Sequence, residues 1–221
     1  HQQNKYFVPA SNIKIFTCYA AMKYLGDSLP GIHYVETPDS IYLFPTGDPT
    51  LLHKDFARQP VVRFLQTQTK PLSISTSNWR DNALGFGWTW SDYNSSYMAE
   101  RSPLPVYANL IRFVQTQQTS EANNKEEPII YTEPDINWKL NFNPDPTTRV
   151  FSVRRNLAEN IFRVTTGNEQ QKEQAVPFVA KSRVRPGFRV PPRIHHQLLD
   201  GIERMQIVLD ALFLGKVVEV W

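Results

Sequence analysis

Ser11 and Lys14 stand three residues apart in the segment Val-Pro-Ala-Ser-Asn-Ile-Lys-Ile-Phe-Thr, residues 8–17. In a helix that starts near Ser11, positions i and i+3 share a face, so the Lys14 amine reaches the Ser11 hydroxyl. That pair has a definite chemistry. A serine hydroxyl is a poor nucleophile at neutral pH and needs a base, and a lysine can be that base when partial burial favours its neutral form. The helix start adds backbone N–H groups that can face a developing oxyanion. The spacing alone is weakly specific: 13 serines and 10 lysines in 221 residues give about 0.6 such pairs by chance, and one is present. The other reading is a serine N-cap followed by a solvated lysine.

The pair needs a rigid element beneath it. Ile15, Phe16, Tyr19, Met22 and Leu25 recur at three- and four-residue steps and Gly26 follows as a stop, which predicts a helix over 11–25. Cys18, Ala20 and Ala21 widen its apolar surface, so burial on most sides is expected, with Cys18 as an inert buried thiol. From His33 the pattern changes to short β-like runs, such as 40–44, punctuated by Pro45, Gly47-Asp48-Pro49 and Pro60. Residues 51–66 read as one helix, interrupted at most by Pro60. Strands are expected at 72–77, 129–131, 138–142, 150–153 and 160–164, with a turn at 143–146. The polar stretches 121–128 and 165–173 read as exposed loops. Ile194, Leu198, Ile202, Met205, Leu209 and Leu212 predict a final amphipathic helix, followed by a strand over 217–221.

Composition narrows the function classes. With 41% hydrophobic and 20% charged residues the chain is expected to fold, and 17 prolines with 12% aromatics argue against a helical bundle. A net charge of +3 does not by itself point to nucleic acid. A lone cysteine forms no internal disulfide. No membrane span is expected, and no basic-then-apolar leader precedes His1.

Three stretches together resemble one family. Pro9 to Thr17 is similar to the active-site helix of penicillin-recognising serine enzymes, with its Ser-x-x-Lys. Leu43-Phe-Pro-Thr-Gly-Asp-Pro-Thr-Leu51 resembles the G-x-D-P-T-L segment of the D-alanyl-D-alanine carboxypeptidase/endopeptidase family, the class C low-molecular-mass penicillin-binding proteins. Leu84-Gly-Phe-Gly-Trp-Thr-Trp-Ser-Asp92 resembles that family's G-x-G-W-x-W-x-D, and 99–109 its small-residue and proline segment ending in asparagine. The resemblance runs over roughly residues 6–180, in the family's order.

It implies Ser11 as nucleophile and Lys14 as proton acceptor, acting through an acyl-enzyme on the bond between two D-alanines of a peptidoglycan stem peptide. β-Lactams are the implied covalent ligands. No cofactor and no metal are implied, and the implied location is the periplasm or cell envelope, with an export signal absent from this chain. The implied fold is an α/β (α+β) transpeptidase/β-lactamase-like catalytic fragment with a large β-rich inserted domain. Residues 1–26 would belong to the catalytic part and 27–180 to the insertion, with 181–221 a basic linker, helix and strand of uncertain origin. The Gly47-Asp48-Pro49 and Trp88-Thr89-Trp90 signatures are expected to be architectural, a tight turn and two packed aromatics.

The chain departs from the family where its second and third motifs should stand: it holds no Ser-x-Asn and no Lys-Thr-Gly or Lys-Ser-Gly. Thr76-Ser77-Asn78, Tyr107-Ala108-Asn109 and Thr165-Thr166-Gly167 are read as chance imitations. A truncated or rearranged gene product with weak or no activity of its own is therefore expected. Two other classes stay open: a non-catalytic peptidoglycan-binding module, and a nucleic-acid-binding protein that uses Arg183, Arg185, Arg189 and Arg193. His195 and His196 lack the carboxylates or cysteines of a metal site and are read as structural. Oligomeric state is left open.

Overall fold

The computed structural model describes residues 2–119, 126–142 and 150–180, with a backbone strand at Arg189–Val190. The protein is a mixed α/β chain with three small sheets, divided into two compact units, His1–Gly31 and the residues from Ile32 onward.

The first unit is a 3-10 turn over Ala10–Asn12 running into helix α1, Ile13–Leu25, stopped by Gly26 at φ 75°. Glycine reaches that left-handed angle without the Cβ clash other residues meet. The expected helix is present, but the expected burial is not. No residue of α1 is buried: Phe16, Tyr19 and Met22 are exposed, and so is Cys18. A segment of 31 residues with one helix offers no second layer against which an all-round apolar helix could be covered.

The second unit opens with strand β1, Ile32–Glu36, antiparallel to β2, Ile41–Pro45. β2 pairs in parallel with β3, Leu72–Ile74, and β3 pairs with β10, Arg189–Val190, to give the order β1-β2-β3-β10. The parallel β2–β3 step requires a crossover, and α2, Pro60–Gln66, supplies its helical part. The single helix expected over 51–66 is thus a turn region followed by α2. Gln59 is extended at φ −120° and ψ 76°, because the ring of a following proline excludes αR, while Pro60 opens the helix where no N–H partner is needed.

The second sheet is built on β4, Leu110–Thr119, flanked by β5, Glu126–Glu133, and β9, Gln171–Pro177, both antiparallel. The third has the order β6-β8-β7, from Leu140–Phe142, Phe162–Thr165 and Ser152–Arg155. Several expectations change here. Glu126–Pro128 and Gln171–Glu173 are strand rather than loop, because pairing with β4 overrides their polar composition. The strand expected over 72–77 ends at Ile74. Those expected at 138–142, 150–153 and 160–164 begin two residues later than read. The turn at 143–146, the loop residues 120–125, the arginine run, the two histidines, the final helix and the closing strand lie outside the described residues, apart from the backbone of β10.

One apolar core joins the three sheets. Ile111 and Phe113 of β4 meet Phe162 and Val164 of β8, Val153 of β7, Val176 of β9, and Trp138 and Phe178, nearly all fully enclosed. Rings stack through it: Phe113 lies 5.1 Å from Phe162, and Trp138 stacks on Phe162 at 6.0 Å. Buried Gln115 continues the inward face of β4. Its amide nitrogen donates to the carbonyls of Gly167 and Glu169 at 3.1 Å, and its oxygen accepts from Gly167 N–H at 2.8 Å. A bonded glutamine is tolerated in the core because no polar atom is left unpaired.

The turn at Gly47-Asp48-Pro49 is tight, as expected. Gly47 has φ 82°, its N–H donates to Pro103 O at 2.7 Å, and Asp48 Oδ1 accepts from Thr50 N at 2.9 Å. A Cβ on Gly47 would sit 2.8 Å from Trp79 Cζ3. Gly47→Ala is therefore expected to cost roughly 1–3 kcal/mol through left-handed strain and overpacking, read as a lowered melting temperature with an unchanged circular dichroism spectrum.

Glu100 carries the pH dependence that geometry makes visible. Burial pushes its carboxyl above the ordinary glutamate value, only partly countered by the Ala180 N–H and by the charge of Arg155. A group raised in the folded state binds its proton more tightly there than in the unfolded chain, so its stabilising share is complete below the unfolded value. That share is lost as pH rises through the folded value. Glu100→Gln is expected to flatten the fall in melting temperature between mildly acidic and neutral pH. An unchanged profile would contradict this assignment.

Candidate functional site

The site is built from three consecutive conformations. Pro9 fixes the chain at φ −67°, Ala10 turns left-handed at φ 45°, and Ser11 enters the 3-10 turn that feeds α1. A positive φ at alanine costs energy that glycine would avoid, and such strain persists where the surrounding structure needs the chain to turn there. The strain falls at the residue that delivers Ser11.

Lys14, in the first turn of α1, lies on the same face. Its Nζ donates to Ser11 Oγ at 3.0 Å. Ser11 does not cap the helix: Asn12 occupies that position and makes no side-chain capping bond. The serine cap of the alternative reading is therefore absent, while its solvated lysine is present. Catalysis requires the same contact with the proton reversed, the hydroxyl donating to a neutral amine. Both groups are exposed. The partial burial expected for Lys14 is not provided within this unit. The amide of Asn12 already donates to Pro9 O at 3.0 Å, so that N–H is engaged within the turn rather than presented to an oxyanion.

The three imitations of the missing motifs are structural. Asn78 Nδ2 donates to Pro45 O at 2.9 Å. Asn109, buried, ends a left-handed run of Tyr107, Ala108 and Asn109, with Nδ2 donating to Glu100 O at 2.8 Å and to Ser102 Oγ at 2.9 Å. Gly167 belongs to the Gln115 clasp. None of the three lies in the unit that carries Ser11.

The tryptophan signature departs from its expected packing. Trp90 is 74% exposed and Trp88 38%, with Phe86 and Tyr97 also exposed. Trp88 lies against Gly85 and beneath Arg101, whose guanidinium sits 5.9 Å from the ring. Asp92 accepts from Tyr97 Oη at 2.8 Å. Packed and solvated tryptophans look alike in composition, so the sequence carried no signal that separates them. The left-handed Ala10 was equally invisible, since alanine is not a residue that announces a positive φ. Among the described residues no group of three or more His, Cys, Asp or Glu gathers to hold a metal, and no helix is long and apolar enough to cross a membrane.

The fold is similar to that of penicillin binding protein 4 from Haemophilus influenzae, with a TM-score of 0.50 at 18% identity. The likeness covers 78% of this chain and 42% of that one, so the chain spans under half the length of that protein. Among curated proteins no relative matches. The pattern of the D-Ala-D-Ala carboxypeptidase 3 (S13) family matches residues 1–148, two thirds of the sequence, and the chain belongs to that family.

Proposed function

We propose that this chain is the Ser-x-x-Lys part of a serine-type D-Ala-D-Ala carboxypeptidase/endopeptidase acting on peptidoglycan stem peptides in the periplasm or cell envelope. The observation that supports the reading most is the 3.0 Å contact between Lys14 Nζ and Ser11 Oγ, delivered by the left-handed Ala10. In the proposed reaction neutral Lys14 takes the Ser11 proton as Oγ attacks the carbonyl carbon of the penultimate D-alanine. The proton passes to the departing amine of the terminal D-alanine, and water then releases the acyl group. β-Lactams enter by the same attack, their ring amide standing in for the D-Ala-D-Ala bond.

Residues 1–26 are assigned to the catalytic part and 27–180 to an inserted β-rich domain. This sequence holds no Ser-x-Asn or Lys-Thr-Gly to orient Lys14 or to meet the substrate carboxylate, so weak activity is expected of this chain by itself. Incubation with a peptide ending in D-Ala-D-Ala is expected to release D-alanine slowly, with no release from the L-Ala-L-Ala analogue and none from Ser11→Ala. Equal release by Ser11→Ala, or from the L-isomer, would overturn the reading.

A second reading is favoured by the exposed rings of Phe86, Trp90 and Tyr97. Aromatic faces stack on the apolar faces of sugar rings, as a non-catalytic peptidoglycan-binding module requires. Co-sedimentation with purified peptidoglycan that falls in Trp90→Ala, with DNA as control polymer, would support it. Unchanged co-sedimentation of Trp90→Ala would remove it.

A further inference from the structure

The chain leaves β9 at Pro177 and runs through Phe178, Val179 and Ala180 without entering another strand pair. Every backbone N–H along this exit is nevertheless bonded, each to a different part of the unit. Phe178 N–H donates to Asn109 O at 3.2 Å, Val179 N–H to Asn160 Oδ1 at 2.7 Å, and Ala180 N–H to Glu100 Oε2 at 2.9 Å. Asn160 also returns a bond, its Nδ2 donating to Val179 O at 3.2 Å, so one side-chain amide grips both sides of a residue as a neighbouring strand would.

Arg155 ties the same corner from behind. It is 4% exposed, and its Nε donates to Pro177 O at 2.7 Å. Its Nη1 donates to the carbonyls of Asn156 at 2.7 Å and Leu157 at 2.9 Å. Its backbone N–H donates to Asn94 Oδ1 at 2.7 Å, and its guanidinium lies 5.6 Å from the Tyr93 ring. A buried guanidinium is costly unless its donors are satisfied, and here backbone carbonyls supply most of the acceptors, with Glu100 supplying the opposing charge. The left-handed Tyr107-Ala108-Asn109 turn presents the carbonyl that receives Phe178, and Asn109 in turn bonds the carbonyl of Glu100. Glu100, Asn109, Arg155 and Asn160 therefore converge on four successive residues from separate parts of the chain.

We propose that these four residues form a latch that fixes the course of the chain as it leaves β9, and that the latch opens locally while the sheets stay intact. Local opening follows from construction. β9 is held to β4 by a continuous ladder from Leu110↔Pro177 to Thr116↔Gln171, and Phe178 by a backbone bond and its buried ring, whereas the N–H groups of Val179 and Ala180 are held by single side-chain bonds that can break without melting a strand. Arg155 and Asn160 are positioning residues in this arrangement.

Native-state hydrogen exchange on the full chain tests it. Asn160→Ala is expected to speed exchange at Val179 by about tenfold, with a smaller rise at Ala180, while Phe178 and the β4 amides of Ile111 to Gln115 keep their rates. Arg155→Lys, which keeps the charge but loses the forked donors, is expected to raise exchange at Val179 and Ala180 without moving β4. Asn160→Asp, which keeps the acceptor for Val179 N–H, should restore most of the protection at Val179. Equal acceleration of the exit and of β4 would show that the exit opens only with the whole unit, and unchanged exchange at Val179 in Asn160→Ala would show that these bonds do not hold it. Either result overturns the proposal.

Discussion

Replacing Phe162 with alanine is expected to cost about 3–5 kcal/mol, a large share of the roughly 5–15 kcal/mol that holds a typical domain folded. Phe162 is fully buried on β8, between Leu140 of β6 and Arg155 of β7 in the sheet register. Its ring lies 5.1 Å from Phe113 of β4 and stacks on Trp138. It is thus a single side chain that joins two sheets, and deleting it leaves a cavity lined by rings that cannot follow it. Chemical denaturation should show the midpoint falling with the slope preserved. Phe86→Ala is the matched control, an aromatic with no burial to lose, and is expected to stay within about 0.5 kcal/mol of wild type. A cost below about 1 kcal/mol for Phe162→Ala would mean that the core is not assembled around this ring.

Replacing Lys14 with methionine is expected to lower the rate of acylation at Ser11 by about a hundredfold or more, the share usually carried by a general base. Methionine keeps the length and apolar stem of lysine but has no nitrogen to receive the proton. Lys14 is exposed, so the substitution removes no buried packing and the melting temperature should match wild type. Lys14→Arg separates charge from basicity. A guanidinium stays protonated and cannot accept the hydroxyl proton, so Lys14→Arg should be as slow as Lys14→Met. A rate in Lys14→Arg close to wild type would assign Lys14 an electrostatic role instead.

The serine-lysine contact was legible because i to i+3 spacing on a helix leaves little freedom: the sequence placed Ser11 and Lys14 on one face, and the structure brings them to 3.0 Å. Gly26 and the Gly47-Asp48 turn were legible for the same reason, since few residues tolerate their backbone angles. What failed was everything decided at long range. β4 has inward Ile111, Phe113 and Gln115, but it was hidden by Gln115, a polar residue whose partners lie more than fifty residues away. Glu126–Pro128 and Gln171–Glu173 read as loops because their strand character comes from β4 rather than from themselves. The exposed state of α1 could not be read from its composition, because an all-round apolar helix states only that a cover is needed. Arg155, buried and holding an exit segment, looked like any surface arginine until its carbonyl partners were in view.

The measurement that bears most directly on Ser11 is mass spectrometry of the full chain after exposure to a labelled penicillin, followed by peptide mapping. A slow, substoichiometric gain of one penicillin is expected, confined to the peptide that carries Ser11 and absent from Ser11→Ala. Label on any other serine, or equal labelling of Ser11→Ala, would contradict the assignment of Ser11 as the nucleophile.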